Sequence, residues 1–385
     1  MAKIMFLVPY SKYYVNFLED QLRSLKAEGH ELIAVAPDYP SGKELKALGI
    51  TFKRTPMTNT GINPFDDIVS LYKLVALLRQ EKPDVLCCYS IKPNLYGSLA
   101  AKYTKIGKVY LFVTGLGYMF TATSLKRSLL YPFVKRLYSF AIKHCSRVFF
   151  ENPDDRELFG NLGMPLKDKA ILLNGLGVNL RKFRPRNSSI RKPVFLLVAR
   201  LLKDKGIMEF AQAAKILKGK YPEAVFQLLG PFDRNPSAIA KETVMEWVSK
   251  GYIEYLGETK DVRPYLHRAK AFVLPSYYRE GIPKSILEAM AVGLPIITTD
   301  WPGCRETVEH GVNGLLVIPG NSAALAEAME PFIYDRLLGN RMGLMSRKIA
   351  VDRFDVNQVN AVIKEAMGLP PVSRPMYEQT KAGHR

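Results

Sequence analysis

Residues 272–292 read FVLPSYYREGIPKSILEAMAV. The stretch opens as a short apolar strand over 272–274, breaks at Pro275, and passes through an aromatic, charged turn to Glu280 and Gly281. A helix is predicted to start with Pro283 in its first turn, where a missing N–H costs nothing. Ile286, Leu287, Met290 and Ala291 then recur at core-facing spacing. Two carboxylates are left over: Glu280 just ahead of the helix and Glu288 on its second turn, eight residues on. They flank a helix N-terminus, whose free amides and dipole suit a phosphate. Two glutamates at this spacing are, in most sequences, a solvated helix face. Here Glu280 sits in a strand-to-helix turn at the carboxyl end of a strand, where open α/β sheets bind their ligands.

The same strand–helix rhythm extends outward in both directions. Downstream of Pro193, strands are predicted over 194–198, 224–229, 253–256, 271–274, 295–299 and 314–317. Helical spacing falls over 207–217, 237–250, 262–266, 321–335, 337–351 and 355–367. Upstream, apolar strands at 4–8, 32–36, 50–55, 85–88, 109–113, 148–150 and 170–173 alternate with helices at 15–27, 65–80, 93–105 and 154–162. Strands that are apolar throughout, separated by amphipathic helices, imply parallel doubly wound sheets. Residues 181–192 carry six basic residues and no acid, broken by Pro185 and by Ser188-Ser189, as a solvated linker would. The expected division is therefore an N-terminal domain 1–180, a linker 181–193, a C-terminal domain 194–354 and a loose tail 368–385.

Composition excludes several classes. At 48% hydrophobic and 24% charged, the chain is neither disordered nor fibrous. No apolar run approaches the ~18 residues of a membrane span, and the N-terminal MAKIMFLVPY is read as a first strand rather than a signal peptide. Cys87, Cys88, Cys145 and Cys304 show no CxxC spacing and are expected as structural or incidental thiols of a reducing cytoplasm. The formal net charge of +19 is shared by both halves, with 24 Lys/Arg against 15 Asp/Glu in 1–180 alone. Such a balance favours anionic partners: nucleic acid, an acidic membrane surface or phosphorylated substrates.

The loops after the strands carry the chemistry. No G-x-G-x-x-G follows the first strand, where the turn is Pro9-Tyr10-Ser11-Lys12, which argues against an NAD-type Rossmann domain. Thr114-Gly115-Leu116-Gly117 follows the fifth strand; its two glycines either let backbone approach a ligand or simply make a tight turn. Residues 125–147 hold six Lys/Arg and no acid among aromatic and aliphatic side chains. This helix either lies in a membrane interface or packs its apolar stripe on the sheet. In the second half, Ala199-Arg200-Leu201-Leu202-Lys203-Asp204-Lys205-Gly206 closes a strand and opens a helix. Arg200 supplies a planar fork for phosphate oxygens and Lys205 a movable point charge. Alone, these would be loop charges in water. Two such loops on adjacent strands, opening at one sheet edge, argue for a single anionic site.

The R-x4-K-G of Arg200 and Lys205 and the E-x7-E of Glu280 and Glu288 resemble the retaining GT-B glycosyltransferases of family 4, and the resemblance covers almost the whole chain. It implies two Rossmann-like domains facing a cleft, the first binding the acceptor and the second the nucleotide-sugar, with helix 355–367 crossing back to the first. It also implies that Glu280 contacts the donor sugar, Glu288 the ribose, and Arg200 and Lys205 the diphosphate. Glu280, Arg200 and Lys205 are then the expected catalytic residues, with Gly281, Ile282, Lys284 and Ser285 completing the donor site. Residues 258–261 lie where the family reads the base, and 303–306 support the sugar. Tyr10, Lys92, Asn94, Gly115 and Gly117 are the expected acceptor or cleft residues.

Residues 90–97 (SIKPNLYG), 114–117 (TGLG) and 302–307 (PGCRET) narrow the resemblance to a bacterial subgroup that extends undecaprenyl-diphosphate-linked oligosaccharides. That implies a UDP-sugar co-substrate with no metal or resident cofactor, a lipid-diphosphate-linked glycan acceptor, and a cytoplasmic protein attached peripherally to the inner face of the plasma membrane. One departure stands out. Many family members carry a His after the fourth strand, whereas this chain reads Cys88-Tyr89-Ser90-Ile91-Lys92. In the family the leaving phosphate is thought to accept the acceptor's proton, so this loss is tolerable. A rival reading, a non-catalytic nucleotide-sugar binder on the same scaffold, is weakened by the intact Arg200, Lys205, Glu280 and Glu288. Nucleic acid is not expected as a partner, because no aromatic-basic strand motif or reading helix accompanies the charge.

Overall fold

The first strand, β1 (Lys3–Leu7), shows why the N-terminal half becomes a covered sheet. Ile4 and Phe6 feed one apolar layer, Met5 and Leu7 the other, and all four are fully buried. β4 (Val85–Tyr89) repeats this, with Val85, Cys87 and Tyr89 on one side and Leu86 and Cys88 on the other. A strand that is apolar on both faces needs helices on both faces, and parallel crossovers supply them. The structure, a computed structural model, describes residues 1–57, 64–116, 125–186, 192–233 and 235–369.

The first sheet runs β3 (Thr51–Arg54), β2 (Glu31–Ala36), β1, β4, β5 (Lys108–Val113), β6 (Arg147–Phe150), β7 (Ala170–Leu172). The second runs β10 (Glu254–Tyr255), β9 (Val225–Leu229), β8 (Val194–Val198), β11 (Ala271–Leu274), β12 (Ile296–Thr299), β13 (Gly314–Val317). Every pairing in both is parallel. This is the GT-B arrangement of two Rossmann-like sheets. Strand order reverses between β1 and β4 and again between β8 and β11. Such switch points open a crevice beyond the carboxyl ends of the strands.

Several boundaries differ from the predicted ones for local reasons. The helix predicted over 15–27 is a π-helical turn, Tyr14–Leu18, followed by an α-helix, Glu19–Ala27. A short helix, Gly42–Ala47, adds to the predicted elements. The helix predicted from 237 begins at Lys241, because residues 237–239 are tied back to the preceding loop: Lys203 N–H donates to the Ser237 carbonyl (2.8 Å) and Ile239 N–H to that of Leu201 (3.0 Å). Pro283 precedes its helix rather than opening it, with an extended ψ of 116°, and Lys284–Ala291 is helical.

The chain crosses between the domains twice, side by side. Val178 N–H donates to the Phe354 carbonyl (2.8 Å) and Val356 N–H to that of Val178 (3.1 Å). Helix Val356–Ala366 then lies on the first domain, where Val359, Ile363 and Met367 join the core of Ile4 and Phe6. Of the linker, 187–191 lie outside the described residues, as do 370–385 of the tail. In helix Leu125–His144, Tyr138, Ala141 and Ile142 are buried in the core while Phe133 is exposed, so its C-terminal half packs on the sheet. Among the described residues no helix is long and apolar enough to cross a membrane. All four cysteines are buried and unpaired.

Candidate active site

The second sheet's switch point places the loops after β8 and β11 next to each other, since Ala271 pairs with Phe195 and Phe272 with Leu196. The loops are then laced together. Tyr277 N–H donates to the Asp204 carbonyl at 2.9 Å, and Ser276 Oγ to the same oxygen at 3.3 Å. Gly206 is needed at this seam: its φ is +73°, and a Cβ there would sit 2.1 Å from the Pro275 carbonyl oxygen. The lacing delivers Lys205, only 7% exposed, onto Glu280 in an ion pair. The ammonium also lies 5.2 Å from the Tyr278 ring centre, within cation–π range.

Arg200 enters from the other end of the same loop and pairs with Asp233 at 3.0 Å. Burial opposes the guanidinium's charge, yet Asp233, Tyr10 and Tyr278 beside it hold its pKa above the ordinary arginine value. Tyr10, contributed by the first domain after β1, faces this cluster across the cleft. Burial raises its phenol's pKa and Arg200 lowers it. The cleft is bridged nearby by Lys12 and Glu258 at 3.7 Å.

Glu288 stands half-buried on helix Lys284–Ala291, one turn from Lys284. Burial pushes its carboxyl above the usual glutamate range and Lys284 pulls it back. The amides of Lys284 and Ser285 lie in the first turn, where a helix leaves its N–H groups unpaired. Lys284 itself points to the other domain: its Nζ donates to the Asn16 carbonyl at 2.6 Å and sits 5.8 Å from the Phe17 ring centre. Its ammonium pKa is lowered, chiefly by burial.

Two expected donor contacts are already committed elsewhere. Gly281 N–H donates to the Thr114 carbonyl (3.2 Å) and Ile282 N–H to Glu151 Oε2 (3.1 Å), so neither amide is free to cradle a diphosphate. Gly115 explains the first of these. With φ +108°, its missing side chain lets the 114–116 loop lie on Glu280, where a Cβ would come 2.5 Å from the Glu280 Cα. Of the other first-domain residues, Lys92 pairs with Asp67 at 3.0 Å. Asn94 is fully buried and donates to the Phe112 carbonyl (3.0 Å), so it braces β5 instead of facing the cleft. Gly117 lies outside the described residues.

Sequence reading missed the first-domain half of this junction. Glu151, Asn152 and Asp155 follow β6 and meet the 279–282 loop directly, and Asp154 meets the segment after β12. Asn152 Nδ2 donates to the Glu280 carbonyl (3.3 Å), Arg279 pairs with the buried Asp155 (2.9 Å), and Arg305 with Asp154 (3.4 Å). Asn152, Pro153 and Asp155 carry a helix-start pattern, and Asn152 caps helix Pro153–Asn161 by accepting the Asp155 amide (2.8 Å). Nothing local marks the cross-domain partners of Asn152 and Asp155, more than a hundred positions away. Their position, immediately past an apolar strand, is the signal that could have flagged them as facing the cleft.

The chain has known relatives in both sequence and fold. Residues 192–335 match the family model "Glycosyl transferases group 1", and residues 3–152 match "Glycosyl transferase 4-like". The chain is 31% identical, over 82% of its length and 85% of the relative's, to the N,N'-diacetylbacillosaminyl-diphospho-undecaprenol alpha-1,3-N-acetylgalactosaminyltransferase of Campylobacter jejuni. It is 29% identical, over 78% and 79% of the two chains, to the UDP-Gal:alpha-D-GlcNAc-diphosphoundecaprenol alpha-1,3-galactosyltransferase of Escherichia coli. Among solved structures, Anabaena Alr3699/HepE in complex with UDP and glucose superposes with a TM-score of 0.76 at 20% identity, covering 96% of this chain and all of that one.

Proposed function

Because the chain belongs to the GT-B glycosyltransferases of the group 1 and 4-like families, we propose that it moves a hexosyl or N-acetylhexosaminyl group from a UDP-sugar to an undecaprenyl-diphosphate-linked saccharide, with retained configuration and without a metal. The observation that carries this reading is the convergence of Arg200, Lys205 and Glu280 at one switch point of the second sheet. As the bond from the sugar's anomeric carbon to the leaving diphosphate lengthens, negative charge grows on the phosphate oxygens. A guanidinium fork and an ammonium held in a partly dry cleft oppose that charge most strongly when it is fully developed. Lys205 has three N–H donors, and its ion pair with Glu280 leaves others for a phosphate. Glu280, so anchored, accepts hydrogen bonds from the sugar hydroxyls, and Glu288 from the ribose. The acceptor hydroxyl's proton passes to the leaving phosphate oxygen, so no first-domain base is required.

The acceptor and the base are drawn from the relatives: two act on diphospho-undecaprenol-linked sugars, and one of these uses UDP-Gal. A place on the inner leaflet is supported by the net charge of +19. It is supported too by helix Pro64–Glu81, which exposes Phe65, Ile68, Val69 and Tyr72 near the Asp67–Lys92 pair. The test is transfer from a panel of UDP-, GDP- and ADP-sugars to a synthetic undecaprenyl-diphosphate-linked saccharide, with and without chelator. One UDP-sugar should be consumed to give a product of the donor's anomeric configuration, at a rate indifferent to chelator. An inverted product, a chelator-sensitive rate or exclusive use of another nucleotide would each overturn the corresponding part.

A further inference from the structure

Glu151 is the least expected side chain at the junction. It follows the last residue of β6, is 6% exposed, and reaches across the domain boundary. Its Oε2 accepts the Ile282 amide at 3.1 Å, and it lies so close over Gly281 that a Cβ there would fall 2.0 Å from the same oxygen. Among the described residues its Oε1 has no hydrogen-bond partner, and no cation pairs with the group. We propose that Glu151 is a positioning residue that works as an uncharged acid, clamping the 280–282 loop to the first domain and so fixing where the Glu280 carboxylate stands. The inference rests on the reading of Glu280 as the residue that orients the donor sugar.

The surroundings explain why an acid here keeps its proton. From its own side Asp155 faces it, from the second domain Glu280, and from the loop after β1 the phenol of Tyr13. The nearby cations are spent elsewhere, Lys205 on Glu280 and Arg279 on Asp155. An ionised carboxylate needs several donors to offset its lost hydration, and the Ile282 amide is one. Burial accordingly pushes the carboxyl up to about 8, with the Ile282 hydrogen bond pulling the other way and Glu280 and Asp155 adding to the rise. In the neutral form the amide still finds an acceptor, and Glu151 adds no negative charge beside Glu280. Above that pH a second carboxylate, buried at 151, would face that of Glu280.

The sign of the resulting pH dependence is fixed. The folded carboxyl titrates near 8 and the unfolded one near its ordinary 4.5, so the folded chain holds a proton that the unfolded chain releases. The stability this contributes is full below the lower value and is lost as pH rises through about 8. Glu151→Gln keeps the shape and an acceptor for Ile282 while removing the titration.

Thermal unfolding of the full-length protein and of E151Q, from about pH 5 to about pH 9, is the first measurement. The melting temperature of E151Q should gain on the wild type as pH rises, and its transfer rate, within about threefold of wild type near neutrality, should lack the wild type's alkaline decline. In Glu151→Ala the Ile282 amide loses its acceptor, and hydrogen exchange of the 280–282 segment should accelerate by about tenfold or more. Parallel melting curves for wild type and E151Q would overturn the proposal. So would unaltered exchange in E151A, or an E151Q protein that folds normally yet has lost transfer at every pH, which would make the group a chemically used carboxylate. The melting and exchange measurements need no substrate. They therefore judge the clamp even if the donor reading of Glu280 fails on its own.

Discussion

Replacing Lys205 by Met removes one ammonium and does two separable things. The first concerns stability: Glu280 loses its ion-pair partner and, among the described residues, keeps only Ser276 Oγ, 3.5 Å from its Oε1. Stranding one partner of a fully buried pair costs about 3–5 kcal/mol. The Glu280 side chain, however, is 21% exposed and water can reach it, so about 1–2 kcal/mol is the expected loss. That corresponds to a melting temperature lower by about 2–4 °C per kcal/mol in a domain of this length. The second effect is on catalysis: the diphosphate loses a contact that strengthens as charge develops, worth about 3 kcal/mol or roughly a hundredfold in kcat. The double variant Lys205→Met with Glu280→Gln separates the two. It has no stranded carboxylate, so its melting temperature should recover while kcat stays low. Arg200→Ala gives the contrasting case, because its side chain is 47% exposed and its partner Asp233 can hydrate: a comparable loss of kcat with stability changed by no more than about 0.5 kcal/mol. Steady-state rates at saturating donor and thermal melts decide it. A Lys205→Met protein within about fivefold of wild-type kcat, or a double variant melting no higher than the single one, would refute the reasoning.

Gly115→Ala puts a Cβ 2.5 Å from the Glu280 Cα at a φ of +108°, so the 114–116 loop must lift off the 280–282 loop. Turnover should fall by tenfold or more, ~1.4 kcal/mol at the barrier, while the thermal shift given by UDP changes little, because the 200–206 loop is untouched. For the membrane, the protein should pellet with anionic liposomes at low salt and release as the Debye length shrinks from about 10 Å at 0.1 M to about 3 Å at 1 M. A protein that stays in the supernatant at every salt concentration, with anionic and neutral liposomes alike, would argue for a soluble acceptor.

The order of helices and strands was legible in the chain because each strand is an apolar run and each helix an amphipathic one, properties set within a dozen residues. The two charged loops at the second sheet's switch point were legible for the same reason: Arg200 with Lys205, and Glu280 with Glu288, lie close in sequence on strand-to-helix turns. Local patterning also misled at its edges, as with Pro283, whose extended backbone sets it ahead of its helix, and with Asn94, polar yet turned into the core. What no stretch of sequence could disclose is the junction. The carboxyl of Glu151, the Asp155–Arg279 pair and the commitment of the Gly281 and Ile282 amides to the first domain all join residues more than a hundred positions apart. Hydrogen bonds and burial act over a few ångströms in space, whatever the separation along the chain. The second sheet's own loops therefore bring Arg200 and Lys205 to one switch point by themselves, whereas only the docking of two sheets buries Glu151 against the Gly281–Ile282 backbone.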